Sequence, residues 1–181
     1  MNIRENIINE FLEEQDWTTE QIIFLAGDAS NRKYFRVKNN NGRAILMDAP
    51  PNKEDVRPFI FFTNYLLELG YSVPNIFGEN AKEGLLLLED FGDNTFTQVL
   101  LQGIKESEIY ECAIDLLIDL HKQPVIENRK DRIGSYGHQE LYREISLFVE
   151  WYMPLCFENK TVIENTDEFY SIWVGLLKNV S

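Results

Sequence analysis

Apolar and polar residues change their spacing about halfway along the chain. In the first half, short aliphatic and aromatic runs alternate with turn residues, which predicts strands at 22–25, 34–37, 44–47, 76–77 and 85–88. The Asn-Gly pair at 41–42 predicts a hairpin between the second and third strands. Two helices are expected here: residues 2–14 carry an apolar stripe, and Pro58 lies in the first turn of a second helix that Gly70 ends. The predicted order is helix, three strands, helix, two strands.

The second half shows helical periodicity almost throughout. Residues 106–121, 139–152 and 169–177 each place apolar side chains at helical spacing. The segment 106–121 is apolar around so much of its circumference that we expect it to be buried on several sides. Strands followed by helices predict an α+β fold. We therefore expect a strand-rich unit at 1–91 and a helical unit at 92–181.

Charge excludes two classes of partner. The chain of 181 residues carries 17 Lys and Arg against 30 Asp and Glu, a formal net charge of −13. Nucleic acid binding needs a basic face, and an anionic membrane surface would repel this chain. No apolar stretch approaches the roughly 20 residues of a membrane helix. We therefore expect no nucleic acid partner, no membrane partner and a cytoplasmic location.

A loop rich in small residues lies between the first two predicted strands. It reads Gly27-Asp28-Ala29-Ser30-Asn31-Arg32 and continues with further cations. Small residues let backbone N–H groups approach a phosphate, and Ser30 adds a hydroxyl donor. The Walker A pattern of P-loop proteins, Gly-x4-Gly-Lys-Ser/Thr, occurs nowhere in the chain. The candidate phosphate-binding residues are Asp28, Ala29, Ser30, Asn31 and Arg32, with a solvated hairpin tip as the alternative.

A second candidate segment follows the last predicted strand. Leu85–Leu88 runs into the joint Glu89-Asp90-Phe91-Gly92, where strands give way to helices. A strand that ends there exposes unpaired backbone groups, which can recognise the edge of a purine. Asp90-Phe91-Gly92 also spells the magnesium motif of protein kinases, but no His-Arg-Asp loop precedes it. We therefore interpret Glu89 and Asp90 as junction residues, and Glu89, Asp90 and Phe91 as candidate nucleotide-binding residues.

Three motifs in this order resemble the aminoglycoside phosphotransferase family. They are Gly-Asp-Ala-Ser-x-Arg-x-Tyr-Phe-Arg-Val from Gly27, Ile45 to Pro51 with Glu54-Asp55, and Leu87-Leu88-Glu89-Asp90-Phe91-Gly92. Within that family the chain most resembles the branch of anomeric kinases that act on cell-wall amino sugars, such as N-acetylmuramate and N-acetylglucosamine. The resemblance extends from the first helix to about residue 152. It implies a protein-kinase-like fold: an antiparallel-sheet N-lobe with one packed helix, a hinge, and a helical C-lobe that is incomplete here.

The resemblance also implies roles for the two candidate segments. Asp28 to Arg32 would cover the phosphates of ATP, Glu89 to Phe91 would form the hinge that meets adenine, and 55–69 would be the N-lobe control helix. ATP and Mg²⁺ are the implied cofactors, and a small hydroxylated or amino-sugar molecule is the implied substrate. The family's third-strand Lys, which holds the phosphates, has no counterpart in 43–48. Arg32, Lys33 and Arg36 remain open as substitutes.

One family motif is missing from the chain. Phosphoryl transfer in the family depends on a His-x-Asp-x4-Asn loop and a later metal-binding Asp. His121 precedes Lys122-Gln123 and His138 precedes Gln139-Glu140, so neither heads such a loop. We assign no catalytic and no metal-binding residue, and expect a truncated, catalytically incomplete kinase that binds ATP. The alternative is a non-catalytic binding module, and we expect self-association through exposed C-lobe helices.

Overall fold

The computed structural model describes residues 3–17, 21–27, 30–40, 42–124, 130–133, 136–157 and 159–178. The chain forms two compact units, 1–110 and 111–181. The first unit contains the β-sheet, and the second is helical. The division expected from the sequence at residues 91 and 92 stays a prediction.

The sheet of the first unit has the strand order β1-β2-β3-β5-β4, and each neighbouring pair is antiparallel. Its strands are β1 (Gln21–Gly27), β2 (Lys33–Asn39), β3 (Gly42–Asp48), β4 (Ile76–Asn80) and β5 (Leu85–Glu89). The five predicted strands are confirmed. The hairpin is confirmed too, because β2 and β3 pair as far as Asn39 and Gly42. The α+β, kinase-like fold class that the sequence predicts is thus observed.

One face of the sheet is covered by α1 (Ile3–Glu14). Alternate residues of a strand point to opposite faces, so every second position of β3 and β5 joins the core on this side. The buried members are Ile8, Phe11 and Leu12 of the helix and Val37, Ala44, Leu46, Leu85 and Leu87 of the strands. Arg4 donates two hydrogen bonds to Oδ1 of Asp48, at 2.9 and 2.6 Å. The buried Asp48 carboxylate is therefore paired with a cation from the helix.

The opposite face is covered by α2 (Arg57–Glu68), which begins with Pro58 in its first turn. Phe59 and Ile60 of this helix pack against a second buried cluster, formed by Met47, Ala49, Val56, Leu86 and Leu88. Two helices therefore pack on the sheet, one on each face. The reason is that both faces of the two central strands are apolar and each must be covered.

The other regular elements of the described residues after β5 are helices. They are α3 (Phe96–Leu101), α4 (Glu106–Lys122), α5 (Lys130–Ile133), α6 (His138–Leu147), a π-helical turn (Phe148–Tyr152), α7 (Met153–Cys156) and α8 (Asn159–Leu177). The predicted helix at 106–121 is confirmed, and the one at 139–152 is confirmed with its last turn π-helical. In the second unit, α6 and α7 contact α8, and the rings of Phe148 and Phe169 lie 5.4 Å apart.

The expectation that α4 is buried is wrong. No residue of this helix is buried, and the side chains of Ile114, Leu116, Leu117 and Ile118 are exposed. Apolar spacing predicts burial only when neighbouring elements cover the helix, and the described residues do not cover it. Separately, no helix in the described ranges combines the length and the apolarity needed to cross a membrane.

Candidate functional site

A cavity of about 700 Å³ opens in the first unit where β5 ends. This volume lies within the range of small-molecule sites. Its apolar wall comes from the sheet and α2, and its polar wall comes from the segment 89–95 and α3. Its lining includes Leu25, Ile45, Phe59, Leu88, Arg36 and Glu89 to Asp93. The cavity is thus apolar on one side and charged on the other.

Strand register explains why these side chains meet. Arg36 of β2 is paired with Ile45 of β3, and Ile45 is paired with Leu88 of β5. Residues directly opposite one another in a sheet share a face, so the three side chains form one row on the α2 face. This row runs from Leu88 of the apolar core to Arg36, whose guanidinium lies on the cavity wall.

Arg36 is the centre of an ion-pair cluster beside the cavity. Its Nε and Nη2 donate to Oδ2 and Oδ1 of Asp90 at 2.7 and 3.0 Å, a bidentate arrangement. Its Nη2 also donates to Asp93 at 2.8 Å, and Arg43 approaches Asp90 to 3.6 Å. The Asp90 side chain is 3% exposed and the Arg36 side chain 16% exposed. A bidentate ion pair whose side chains are this little exposed to solvent is among the stronger interactions that a protein makes with a carboxylate.

The environment keeps both groups charged. Burial by itself would raise the pKa of the Asp90 carboxyl, but the hydrogen bonds from Arg36 and from the Gly92 N–H outweigh burial and lower it. The hydrogen bonds from Arg36 to Asp90 and Asp93 raise the pKa of the guanidinium further above its ordinary value. Asp90 is therefore an anion whose charge is already neutralised by protein groups.

Glu89, the residue before Asp90, is held by hydrogen bonds with Asn75. The Glu89 carboxylate accepts hydrogen bonds from the backbone N–H and Nδ2 of Asn75, at 3.2 and 2.6 Å. The Glu89 N–H donates to the carbonyl of Asn75 at 2.9 Å. Within the described residues, the backbone N–H and C=O of Phe91 form no hydrogen bond. The side chains of Glu89 and Asp90 are therefore bonded to other residues of the protein. The backbone N–H and C=O of Phe91 have no partner among the described residues.

The candidate phosphate loop is only partly described. Asp28 and Ala29 lie outside the described residues. Ser30, Asn31 and Arg32 do not line the cavity. Glu54, just before α2, accepts hydrogen bonds from the Asn31 N–H at 2.9 Å and from Nε of Arg32 at 3.3 Å. The described end of this loop is therefore tied to the segment that leads into α2.

The structure distinguishes the three cations that the sequence left open. Arg36 lines the cavity but is occupied by two carboxylates, and Arg32 is paired with Glu54. Lys33 is exposed and has the strand parity of Phe35 and Val37, so it lies on the α1 face of the sheet, away from the cavity. On the α2 face of β3, where a phosphate-holding Lys would project, the buried residue is Met47.

The sequence analysis identified Glu89, Asp90 and Phe91, which the structure brings together on the cavity wall, but it missed most of the rest of the wall. Ile45, Phe59 and Leu88 were predicted only as parts of elements. Alternation along β2 and β3 could have placed Ile45 on the face of Arg36. Nothing in the local sequence links Arg36 to Asp90, because the two residues are 54 positions apart.

Metal binding finds no support in the described part of the chain. No three His, Cys, Asp or Glu side chains are grouped there in a way that could hold an ion. Asp90 and Asp93 lie beside the cavity, but both are bonded to Arg36, whose positive charge opposes binding of a cation. These carboxylates do not fit a Mg²⁺ ion in the observed arrangement.

Comparison with known proteins gives a consistent family. The model of the phosphotransferase enzyme family matches residues 21–173. The N-acetylmuramate/N-acetylglucosamine kinase of Pseudomonas aeruginosa is 37% identical over 133 residues, 74% of this chain and 38% of that protein. The protein of the same name in Pseudomonas putida is 33% identical over 128 residues, 71% of this chain and 36% of that protein. The one in Neisseria meningitidis is 32% identical over 136 residues, 73% and 39% of the two chains. The chain spans about two fifths of the length of these curated relatives.

Proposed function

Because the chain belongs to the phosphotransferase enzyme family, we propose that it is the nucleotide-binding part of an ATP-dependent kinase of amino sugars. The substrate class comes from the relatives, which are named as N-acetylmuramate/N-acetylglucosamine kinases. ATP serves as the phosphoryl donor, and use of ATP favours a cytoplasmic location.

The observation that carries the proposal is the backbone of Phe91, whose N–H and C=O form no hydrogen bond within the described residues and which lies on the wall of a cavity that is apolar on one side. Adenine is a flat ring with a donor and an acceptor on one edge. A backbone N–H and C=O in neighbouring positions match such an edge. Ile45 and Leu88 supply an apolar surface for the ring faces, and Leu25 of β1 lines the same cavity. An apolar surface combined with polar groups that fix a ligand's orientation is typical of small-molecule sites.

Phosphate binding is assigned to the loop that precedes β2. Its small residues at 28–30 allow a close approach of backbone N–H groups, and Arg32 supplies a positive charge. Glu54 would hold the loop in place through its hydrogen bonds from the Asn31 N–H and Arg32 Nε, and the other donors of the Arg32 guanidinium would face the phosphates. Mg²⁺ has no site among the described residues, so no step of the proposal passes through it.

Catalysis is not assigned to this chain alone. It contains no His-x-Asp-x4-Asn loop, on which phosphoryl transfer in protein-kinase-like enzymes depends. We therefore expect the 181-residue chain to bind ATP without transferring its phosphoryl group to an amino sugar. A coupled kinase assay that detects turnover with N-acetylmuramate or N-acetylglucosamine would contradict this part of the proposal.

A binding measurement tests the nucleotide site directly. Titration calorimetry with ATP and with adenosine should detect both ligands, because the cavity recognises the base. Leu25→Glu should weaken adenosine binding by about tenfold or more, since a carboxylate would enter an apolar wall. Ile22→Glu is the matched control, because Ile22 lies on the same strand with similar exposure, 39% against 40%, is paired with Val37 on the α1 face and does not line the cavity. Equal losses in the two variants, or no binding by the unmodified chain, would refute the assignment.

A non-catalytic binding module is the second candidate, favoured by the exposed apolar side chains of the helical region. Besides the residues of α4, the side chains of Trp151 and Leu155 are 70% and 85% exposed. Apolar surface of this kind promotes association. Concentration-dependent sedimentation with no nucleotide binding would favour this candidate, and a monomer at all concentrations would count against it.

A further inference from the structure

We propose that Arg36 positions the hinge segment Glu89–Gly92 for adenine recognition and does not bind the phosphates of ATP. The inference rests on the proposed function, because it assigns a role within the nucleotide site. Arg36 is the cation that the structure places on the cavity wall, so a phosphate contact would be the simplest expectation for it. The contacts of Arg36 point to a different role.

The guanidinium of Arg36 uses its donors within the protein. Nε and Nη2 are both committed to the Asp90 carboxylate, and Nη2 also bonds to Asp93. A phosphate that took over these donors would leave a carboxylate that is 3% exposed without its main partner. An unpaired buried charge is strongly unfavourable. The pair is thus a stable internal unit, and because two carboxylates offset the charge of the guanidinium, its other nitrogen, Nη1, is a poor site for an anionic ligand.

The Arg36–Asp90 pair also holds the backbone after Asp90 in place. Oδ1 of Asp90, which accepts from Arg36, also accepts from the Gly92 N–H at 2.9 Å. On the other side, Glu89 is tied to Asn75 by three hydrogen bonds. Phe91, whose backbone groups have no partner among the described residues, lies between these two anchors. The anchors therefore fix the backbone on both sides of the residue that would meet the base.

A fixed recognition edge lowers the entropic cost of binding. Loss of Arg36 should release Asp90 and let the segment adopt other conformations. Affinity for the base would then fall, and affinity for the phosphates would not. Adenosine and ATP should therefore lose affinity by the same factor. A phosphate-binding Arg would instead affect ATP alone.

The test measures dissociation constants of adenosine, ATP and inorganic triphosphate for the unmodified chain, Arg36→Met, Arg36→Lys and Asp90→Asn. We expect Arg36→Met to weaken adenosine and ATP alike, by about tenfold, and to leave triphosphate unchanged. The affinities of Arg36→Lys for adenosine and ATP should lie between those of the unmodified chain and of Arg36→Met, because an ammonium cannot form the bidentate pair. Lys38→Met is the matched control: it removes another cation from β2, exposed and away from the cavity lining, and should change none of the constants.

Asp90→Asn keeps the inference testable if Arg36→Met fails to fold. It loosens the same anchor while retaining the guanidinium. Weaker adenosine binding in Asp90→Asn supports the positioning role, whereas stronger ATP or triphosphate binding overturns it, because a freed cation would then be binding phosphate. Adenosine affinity unchanged in Arg36→Met also overturns it. Absence of any nucleotide binding by the unmodified chain refutes the proposed function itself, which distinguishes the two failures.

Discussion

Asp90→Asn offers a direct measure of what the ion-pair cluster contributes to folding. The substitution preserves the shape of the side chain and replaces one carboxylate oxygen with an NH₂ group. Asp90 uses both oxygens as acceptors: Oδ1 for Gly92 and Arg36 Nη2, and Oδ2 for Arg36 Nε. Whichever way the amide is turned, its NH₂ faces a donor. At least one charge-assisted bond is lost, and a guanidinium that is 16% exposed keeps only Asp93 as a charged partner.

The expected cost follows from these contacts. A hydrogen bond to a charged group contributes about 1.5–3 kcal/mol, and the loss of one partner from a buried pair costs more than the loss of an exposed one. We therefore expect Asp90→Asn to lower the free energy of unfolding by about 2–3 kcal/mol at pH 7. Asp93→Asn is the matched control, since Asp93 bonds to the same guanidinium but is 71% exposed. Its cost should stay below about 1 kcal/mol.

The pH dependence of the stability difference between the unmodified chain and Asp90→Asn tests the direction of the pKa shift of Asp90. The pKa of Asp90 is lower in the folded chain than its ordinary value, so its contribution is complete above the unfolded-state pKa of about 3.9 and declines as pH falls through the folded-state pKa. Urea unfolding should therefore give a constant difference between the unmodified chain and Asp90→Asn from pH 7 to pH 5. The difference should shrink below about pH 4. A difference that is absent at pH 7, or that grows on acidification, would refute the reasoning.

Two further predictions concern the turn before β5 and the loop before β2. Gly84 has φ +68°, and a Cβ there would collide with the carbonyl oxygen of Ala49. Gly84→Ala should therefore cost about 2–4 kcal/mol in chemical denaturation, against about 1–2 kcal/mol for Gly70→Ala, whose φ of +87° is strained but whose surroundings are open. Equal costs would contradict the collision argument. Glu54→Gln should weaken ATP binding about twofold to fivefold and leave adenosine binding unchanged, because it loosens the loop assigned to the phosphates. Asp55→Asn, which affects only the local exposed pair with Arg57, should change neither constant, and a loss of adenosine affinity in Glu54→Gln would contradict the assignment.

Elements with strong local patterns were predictable from the sequence. The five strands follow from alternation and turn residues, and α2 follows from Pro58 and Gly70 at its ends. The short helix α3 was not predicted, because its six residues are too few to establish a helical period. Its Thr95 cap, whose side chain accepts from the Gln98 N–H, was the signal that could have revealed it.

The burial of α4 was predicted wrongly, although this helix is long enough to show a helical pattern. Its period is clear, but period specifies which residues share a face and not what covers that face. The same distinction applies to the candidate site. The sequence located Glu89 to Phe91 at a strand end, and the structure shows that Ser30 to Arg32 do not line the same cavity as these residues.

The order of the strands and helices, the α+β class and the family resemblance were readable from the chain alone, because they depend on local spacing and on motifs. The use of the charged residues became clear only from their three-dimensional arrangement. Arg36 pairs with carboxylates 54 and 57 positions away, and Arg32 pairs with one 22 positions away. Which cation meets which carboxylate is set by strand register and by the packing of α2 on the sheet. These long-range arrangements leave no periodic signal in the sequence.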